Sequence, residues 1–189
     1  MTGERDAVSQ NSGDRGTRRA VSGRRGALAA RDIVLLGLMG AIMFVGKLAM
    51  AGLPNIEPVS LLIMVLVAVM GWRALFAVYV YVAMEFLTFG FGIWSVNYLY
   101  VWLVLVLLAM PMRKVRAPLP WAILSGAFGL AFGTLCTIPY LLVSGWAAAL
   151  AYWISCIPFD IPHCIGNFVI ALVLFRPCRD LLERLLKGR

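Results

Sequence analysis

Charged residues are scarce in this sequence. Asp, Glu, Lys and Arg make up 14% of its 189 residues, while hydrophobic residues make up 62%. A soluble domain is usually about a quarter charged and about half apolar. The apolar residues come in long uninterrupted runs, which argues against an ordinary soluble domain and indicates an integral membrane protein.

The sequence contains a single histidine and none of several common enzyme motifs. The single histidine, His163, cannot build a multi-histidine metal site. The four cysteines contain no CxxC pair, so neither a zinc site nor a disulfide framework is expected. No phosphate-binding loop of the GxxxxGKS type, no HExxH and no GxSxG occurs. We expect no catalytic residue, no metal and no cofactor in this chain. A small membrane enzyme, using Ser144 or Ser155 beside Asp160 and His163, is a less favoured alternative.

The basic residues indicate how the chain crosses the membrane. Net charge is +8, but all basic residues except Lys47 lie in 5–31, at Arg73, in 113–116 and in 176–189. This placement at the ends of apolar runs is a topology signal and not a nucleic-acid surface. We predict an all-α integral membrane protein with six transmembrane helices and both termini cytoplasmic. The predicted spans are 32–51, 58–71, 74–90, 94–111, 120–143 and 151–175.

Six spans place every basic cluster on one face, whereas five would divide the clusters between compartments. The expected location is the cytoplasmic (inner) membrane, with a multi-pass chain. Residues 1–29 are predicted to be a disordered basic cytoplasmic tail, 30–178 the membrane domain and 179–189 a basic cytoplasmic end. Cleavage of the first span as a signal, after the A-x-A triplet at 49–51, is a less favoured alternative.

Polar and aromatic side chains collect on the predicted outer half of the membrane domain. Ionisable groups inside a bilayer usually face a partner or a wet cavity, so their convergence predicts a ligand cavity. The candidate residues of this outer cavity are Lys47, Asn55, Glu57, Glu85, Trp94, Asn97, Tyr98 and Trp153. Other roles stay open: the tryptophans could anchor at the interface, Lys47 could extend to headgroups, and Lys47 could pair with Glu85 only for structure. Glu57 is the weakest candidate, because an acid in an outer loop is unremarkable.

The stretch "ISCIPFDIPHCIGNF" (154–168) adds three polar residues on one helical stripe. Asp160, His163 and Asn167 are spaced i, i+3, i+7, so they share a face of a helix. We expect them to line the cavity and to hydrogen-bond its ligand, with Pro158 and Pro162 bending the helix around it. An Asp160–His163 pair without ligand, or Asn167 as packing between helices, is the alternative.

A small-residue motif lies in the first span. "GLMGA" places Gly37 and Ala41 four residues apart, a spacing that lets another helix approach closely. We predict that these two residues dock a partner, although the same motif could serve internal packing.

Taken together, these stretches resemble the substrate-binding S component of energy-coupling factor (ECF) transporters, the vitamin importers of prokaryotes. The similarity covers about residues 30–178. It includes "GLMGA" in the place of the family's AxxxA motif, "LPNIEPVSLL" (53–62) and "IPFDIPHCIGNFVIALVLFRP" (157–177). Gly37 departs from the family's first alanine but keeps its small size.

The resemblance implies a binding subunit and not an enzyme. Such S components capture a vitamin or related micronutrient in an outer cavity closed by three loops, here 52–57, 90–94 and 144–151. They then topple in the bilayer while docked on a transmembrane T subunit and two cytoplasmic ATPases, which hydrolyse the ATP. A stand-alone small-solute carrier is the second reading of the same features.

The sequence constrains the chemical class of the ligand but not its identity. Aromatic side chains suggest a flat ring, and Glu57, Glu85 and Asp160 outnumber Lys47, which favours a neutral or cationic ligand. We expect a nitrogen heterocycle, such as a vitamin, its precursor or a queuosine-type base. A carboxylate ligand held by Lys47, such as biotin or pantothenate, would contradict this expectation.

Overall fold

The computed structural model describes residues 30–52 and 56–187. The predicted tail 1–29 and the candidate Asn55 therefore lie outside the described residues. The chain divides into two units, 1–35 and 36–189, with the boundary inside the first helix. Of the first unit only 30–35 are described, and they open that helix. All geometry below belongs to the second unit.

The described residues are helical, without a strand among them. The helices are α1 (Ala30–Ala49), α2 (Val59–Met70), α3 (Ala74–Phe89), α4 (Ile93–Ala109), α5 (Pro118–Cys136) and α6 (Ile138–Lys187). Short 3₁₀ turns, Gly71–Arg73 and Met110–Lys114, follow α2 and α4. Among the described residues, five helical stretches are long and apolar enough to cross a membrane. The expectation of an all-α chain is confirmed for the described residues, and the five apolar stretches are compatible with a multi-pass membrane protein.

One of those five stretches, residues 59–89, reverses direction at Gly71. Gly71 has φ 64° and ψ −133°, a left-handed conformation that glycine tolerates best. A Cβ on Gly46 of α1 would lie 2.8 Å from Pro58, and the neighbouring Lys47 contacts Glu85. A straight helix from 58 to 85 would be about 40 Å long, so its two ends could not meet one turn of α1. The chain must fold back, with limbs of 12 and 16 residues.

The last helix contains a second reversal, at Gly145. This glycine has φ 79° and ψ −179° inside α6, and the rings of Tyr140 and Tyr152 stack across it with centroids 4.0 Å apart. The predicted outer loop 144–151 is therefore wrong: apart from Gly145 it is helical. Its sequence, "SGWAAALA", is rich in alanine, the best helix former, so one glycine suffices for the turn.

Small residues bring α5 and α6 into close contact. A Cβ on Gly129 would lie 2.8 Å from the carbonyl oxygen of His163, and one on Gly126 would lie 3.3 Å from that of Cys164. Gly133 packs equally closely on Cys156 and Asp160. Helices can approach this closely only where side chains are absent, as is common between membrane helices.

Basic residues mark one end of this unit. Arg179 donates hydrogen bonds to the carbonyl oxygens of Val115 (2.6 Å) and Arg113 (3.4 Å) and to Glu183 (3.0 Å). Arg113 also lies against Gly71, because a Cβ there would be 2.7 Å from Arg113 Cζ. The C-terminal ends of α2, α4 and α6 and the start of α5 thus meet at the basic end.

Candidate functional site

The opposite end of the unit contains a buried ion pair between α1 and α3. Lys47 Nζ donates a 2.8 Å hydrogen bond to Glu85 Oε2 and another of 2.8 Å to the hydroxyl of Tyr98 in α4. The Glu85 side chain is 2% exposed and that of Lys47 is 27% exposed. Three predicted site residues from three helices are therefore brought together. An ion pair this buried is favourable only when its remaining hydrogen-bonding atoms are also satisfied.

A cavity of about 320 Å³ opens beside this ion pair. Its size is at the small end for ligand pockets, which run from about 300 to 1,000 Å³. The residues that line it are Phe44, Lys47, Leu48, Met50, Ala51, Ile56, Glu57, Glu85, Phe89 and Phe159. Among the described residues, the lining thus combines two carboxyl groups and one ammonium with apolar and aromatic side chains.

Two helical faces supply most of that wall. Phe44, Lys47 and Leu48 are spaced i, i+3, i+4 and so lie on one face at the end of α1, and Ala51 follows in the turn just after that helix. Glu85 and Phe89 share a face of α3 in the same way, four residues apart. The ammonium of Lys47 lies 5.9 Å from the ring centroid of Phe89 and 5.0 Å from that of Tyr98. Cations at this distance from an aromatic face are attracted by it.

Glu57 is the acid that sequence reasoning ranked lowest, and it lines the cavity. It is half-buried, just before α2 begins. Burial raises the pKa of Glu57 to about 7, against the attraction of Lys47 and with a further rise from Glu85. The carboxyl group therefore changes its charge near neutral pH. The proline on either side of "NIE" made this segment look like an ordinary loop, although Pro58 in fact packs on α1 at Gly46.

The stripe of Asp160, His163 and Asn167 lies elsewhere. As predicted, the three share one buried face of α6. Asp160 Oδ1, however, accepts a 3.1 Å hydrogen bond from the backbone N–H of Gly133. Asn167 Nδ2 donates to Ser60 Oγ at 3.2 Å and to the carbonyl oxygen of Ser125 at 3.5 Å. Two of the three residues thus hold α6 against its neighbours and do not line the cavity around Lys47.

His163 has a different environment from its two companions. Its ring packs edge-on against Phe132, with centroids 5.0 Å apart, and neither ring nitrogen has a hydrogen-bond partner among the described residues. His163 does not pair with Asp160, whose carboxylate is bonded to Gly133 instead. Phe159, which lies between Pro158 and Asp160 on α6, lines the cavity. The helical backbone of α6 continues through Pro158 and Pro162, and the bend expected at these prolines stays a prediction.

The other candidates divide between the edge of the site and the helix interfaces. Trp94 is half-buried and packs edge-on against Tyr98, with centroids 5.3 Å apart. Asn97 is buried, and its Oδ1 lies 3.1 Å from the hydroxyl of Tyr100. Trp153 is 39% exposed and donates a 2.9 Å hydrogen bond to Thr134 Oγ1. None of these three residues is among those that line the cavity. Trp94 is nevertheless close to it, because it packs on Tyr98, which accepts a hydrogen bond from the lining residue Lys47.

The two predicted docking residues lie on α1, away from the cavity. Gly37 and Ala41 are both half-exposed. A Cβ added to Gly37 would meet no other described atom within 4 Å. In contrast, Gly40 is covered, because a Cβ there would lie 2.7 Å from Val80 of α3. Gly37 itself therefore has open space beside it, whereas Gly40, three residues further along α1, packs on α3.

Compared with protein families, with curated proteins and with solved structures, the chain matches none. The geometry of the chain itself is what supports the proposals below.

Proposed function

We propose that this chain is the substrate-binding S component of an ECF-type importer in the cytoplasmic membrane. It captures a vitamin or related micronutrient at the outer surface and delivers it inward with a T subunit and two ATPases. The observation that carries the proposal is the cavity beside the Lys47–Glu85 ion pair, at the end of the unit opposite the basic residues.

The orientation in the membrane follows from the two ends. Lysine and arginine near the ends of membrane spans favour the cytoplasmic side. The end built around Arg113 and Arg179 then faces the cytoplasm, and the cavity faces outward. The reversal at Gly71 supports counting α2 and α3 as separate spans, which gives six. These limbs are about 18 and 24 Å long, so the bilayer thins around them.

A capture role explains why this pair of charges is retained in so apolar a chain. Placing an ionisable group inside a bilayer costs about 2.5–3.5 kcal/mol on insertion scales. Helix packing alone does not require that cost, since apolar residues of similar volume hold helices together as well or better. Charges that also line a cavity can recognise a ligand, and this role explains why the chain contains them despite their cost.

Delivery needs a partner, and α1 offers a surface for it. Gly37 and Ala41 leave a shallow strip on this helix, where another helix can approach closely. Sequence reasoning found no nucleotide-binding motif in this chain, so a docked partner must supply the energy from ATP.

Affinity purification from the native membrane tests this proposal. A tagged chain, solubilised in mild detergent, should retain a transmembrane T subunit and two ATPases in a fixed stoichiometry. Gly37→Trp should release them, while Gly52→Trp, at a second glycine with open space around it, should not. Recovery of the chain alone from the native membrane, with uptake intact in a host without ECF modules, would instead establish a stand-alone carrier.

A further inference from the structure

Glu85 has one carboxylate oxygen that no described residue satisfies. Its Oε2 accepts the hydrogen bond of Lys47, but Oε1 is buried and has no hydrogen-bond donor among the described residues. The side chain is 2% exposed, and it lines the cavity. A buried acceptor left without a donor is costly, more so when it is charged. An N–H or O–H donor that reaches this oxygen would remove that cost, and the cavity that Glu85 lines is one place from which such a donor can come.

The charges around the cavity specify the sign of that donor group. Lys47 already donates to both Glu85 and Tyr98. Glu57 adds a second carboxyl group to the same lining. When both carboxyl groups are ionised, as at pH 8, the described residues of the lining carry a net charge of −1, so a cation is favoured and an anion is repelled.

The rest of the lining specifies the body of the ligand. Phe44, Phe89 and Phe159 contribute three rings, and Leu48 and Ile56 contribute aliphatic surface. Such walls favour a flat or apolar group, and aromatic faces attract a cation held against them. The volume of about 320 Å³ suits one ring system and not a large conjugate.

From these three observations we infer that the cavity takes a small organic cation with N–H donors, a protonated amine or amidine on an apolar, ring-sized body. Its N–H groups donate to Glu85 Oε1, Glu57 balances its charge, and the phenylalanines hold its body. The inference rests on the proposed function in one respect: the same cavity is taken as the capture site. The sequence led us to expect a neutral or cationic nitrogen heterocycle. The structure restricts the ligand further, to a cation that donates hydrogen bonds.

The donor requirement separates this ligand from a quaternary ammonium. A quaternary nitrogen satisfies the charge and the aromatic rings but has no hydrogen to give to Glu85. A neutral alcohol of the same shape has a donor but no charge. Four probes of one size class therefore isolate the two requirements: benzylammonium, benzyltrimethylammonium, benzyl alcohol and benzoate.

The test is equilibrium binding of each probe to the purified full chain at pH 8, by calorimetry and by thermal shift. Benzylammonium should bind about tenfold tighter, or more, than each of the other three, as a charge-assisted hydrogen bond requires. Glu85→Gln should abolish that preference. Glu183→Gln, which removes an acid at the basic end of the unit, should leave it unchanged.

Several results would overturn the inference without depending on how the variants fold. Equal or tighter binding of benzoate or benzyl alcohol by the wild-type chain removes the need for a cation. Equal binding of benzyltrimethylammonium removes the need for an N–H donor. Absence of binding for all four probes, or an undiminished preference in a folded Glu85→Gln variant, shows that the cavity is not such a site. None of these results affects the co-purification of a T subunit and ATPases, so the proposed function is judged separately.

Discussion

Lys47 and Glu85 are 38 residues apart in sequence and 2.8 Å apart in space. Their hydrogen bond joins α1 to α3 at the end of the unit opposite the basic cluster, and Tyr98 of α4 shares the same ammonium. A cavity lies directly beside them. This one pair therefore connects helix packing to the proposed ligand capture, and it can be tested for both.

Removal of one partner of the pair should destabilise the chain more than removal of both. Lys47→Met leaves the Glu85 carboxylate buried without its cation, a loss of about 3–5 kcal/mol for a fully buried pair. Because Lys47 is partly exposed, we expect the lower part of that range or somewhat less. The double variant Lys47→Met/Glu85→Gln should recover much of the loss.

Unfolding of the purified variants in detergent, followed by tryptophan fluorescence, measures these differences in free energy. Arg116→Gln is the matched control, since its ion pair with Glu183 lies on an exposed side chain at the basic end, and exposed pairs contribute little. A double variant as unstable as Lys47→Met alone would mean that the two side chains are not energetically coupled.

Glu57 should make both stability and ligand binding depend on pH. Its pKa in the folded chain is raised to about 7, so the folded state holds a proton that the unfolded chain loses near its ordinary value. The resulting stability is fully present below the unfolded pKa and is lost as pH rises through about 7. Benzylammonium affinity should change in the opposite sense, rising from pH 6 to pH 8 as Glu57 becomes an anion.

Thermal unfolding and probe binding across this pH range check both trends, and Glu57→Gln should flatten them. The groups that influence Glu57 are Lys47 of α1, Glu85 and Tyr81 of α3, and Tyr98 of α4. A pH dependence that persists unchanged in Glu57→Gln would assign the titration to another group.

The contact between α5 and α6 should be intolerant of a single methyl group. A Cβ at Gly133 would overlap Asp160 and Cys156 of α6, and Asp160 would lose its hydrogen bond to the Gly133 N–H if the helices separated. Gly133→Ala should therefore lower the free energy of unfolding by about 1–3 kcal/mol through overpacking. Gly37→Ala should be neutral or slightly stabilising, because that position has open space and alanine favours a helix. Equal effects of the two substitutions on unfolding would contradict the close packing of α5 on α6.

Docking through α1 should be separable from ligand capture. Gly37→Trp places a bulky side chain on the half-exposed strip without touching the cavity. Uptake by cells should fall to background, while probe binding by the purified variant should stay within about twofold of wild type. Loss of both activities in the variant would point to a role for Gly37 in folding and against a docking face.

The sequence predicts α1 to α4 to within two residues at each end, because apolar runs and basic clusters are properties of single segments. The predicted spans 120–143 and 151–175 are wrong about where α5 ends, at Cys136, and where α6 begins, at Ile138. Lys47, Glu85 and Tyr98 were all candidates for one outer cavity, and they meet; the pairing of Lys47 with Glu85 was one of the alternatives left open. The cavity wall was missed, although Phe44, Lys47, Leu48 and Ala51 show helical spacing that could have indicated it. The importance of Glu57 could not be judged from sequence. Glu57 comes close to the ion pair only because the neighbouring Pro58 packs on Gly46 of α1.

The stripe on α6 shows how far an argument from spacing reaches. Asp160, His163 and Asn167 do share a face, as their spacing predicts, but spacing does not say what that face contacts. The glycines of α5 let α6 approach so closely that the carboxylate of Asp160 accepts a hydrogen bond from the backbone N–H of Gly133. A ligand role for these three residues stays a prediction, and their observed contacts are with neighbouring helices.

Native mass spectrometry of the purified chain, with a panel of vitamins and related micronutrients, tests the central claim most directly. We predict that at least one small cationic compound stays bound to the wild-type chain and to Glu183→Gln but is lost from Glu85→Gln. If no compound is retained, or if the retained compound binds a folded Glu85→Gln chain as tightly as wild type, the cavity beside Lys47 and Glu85 is not the capture site.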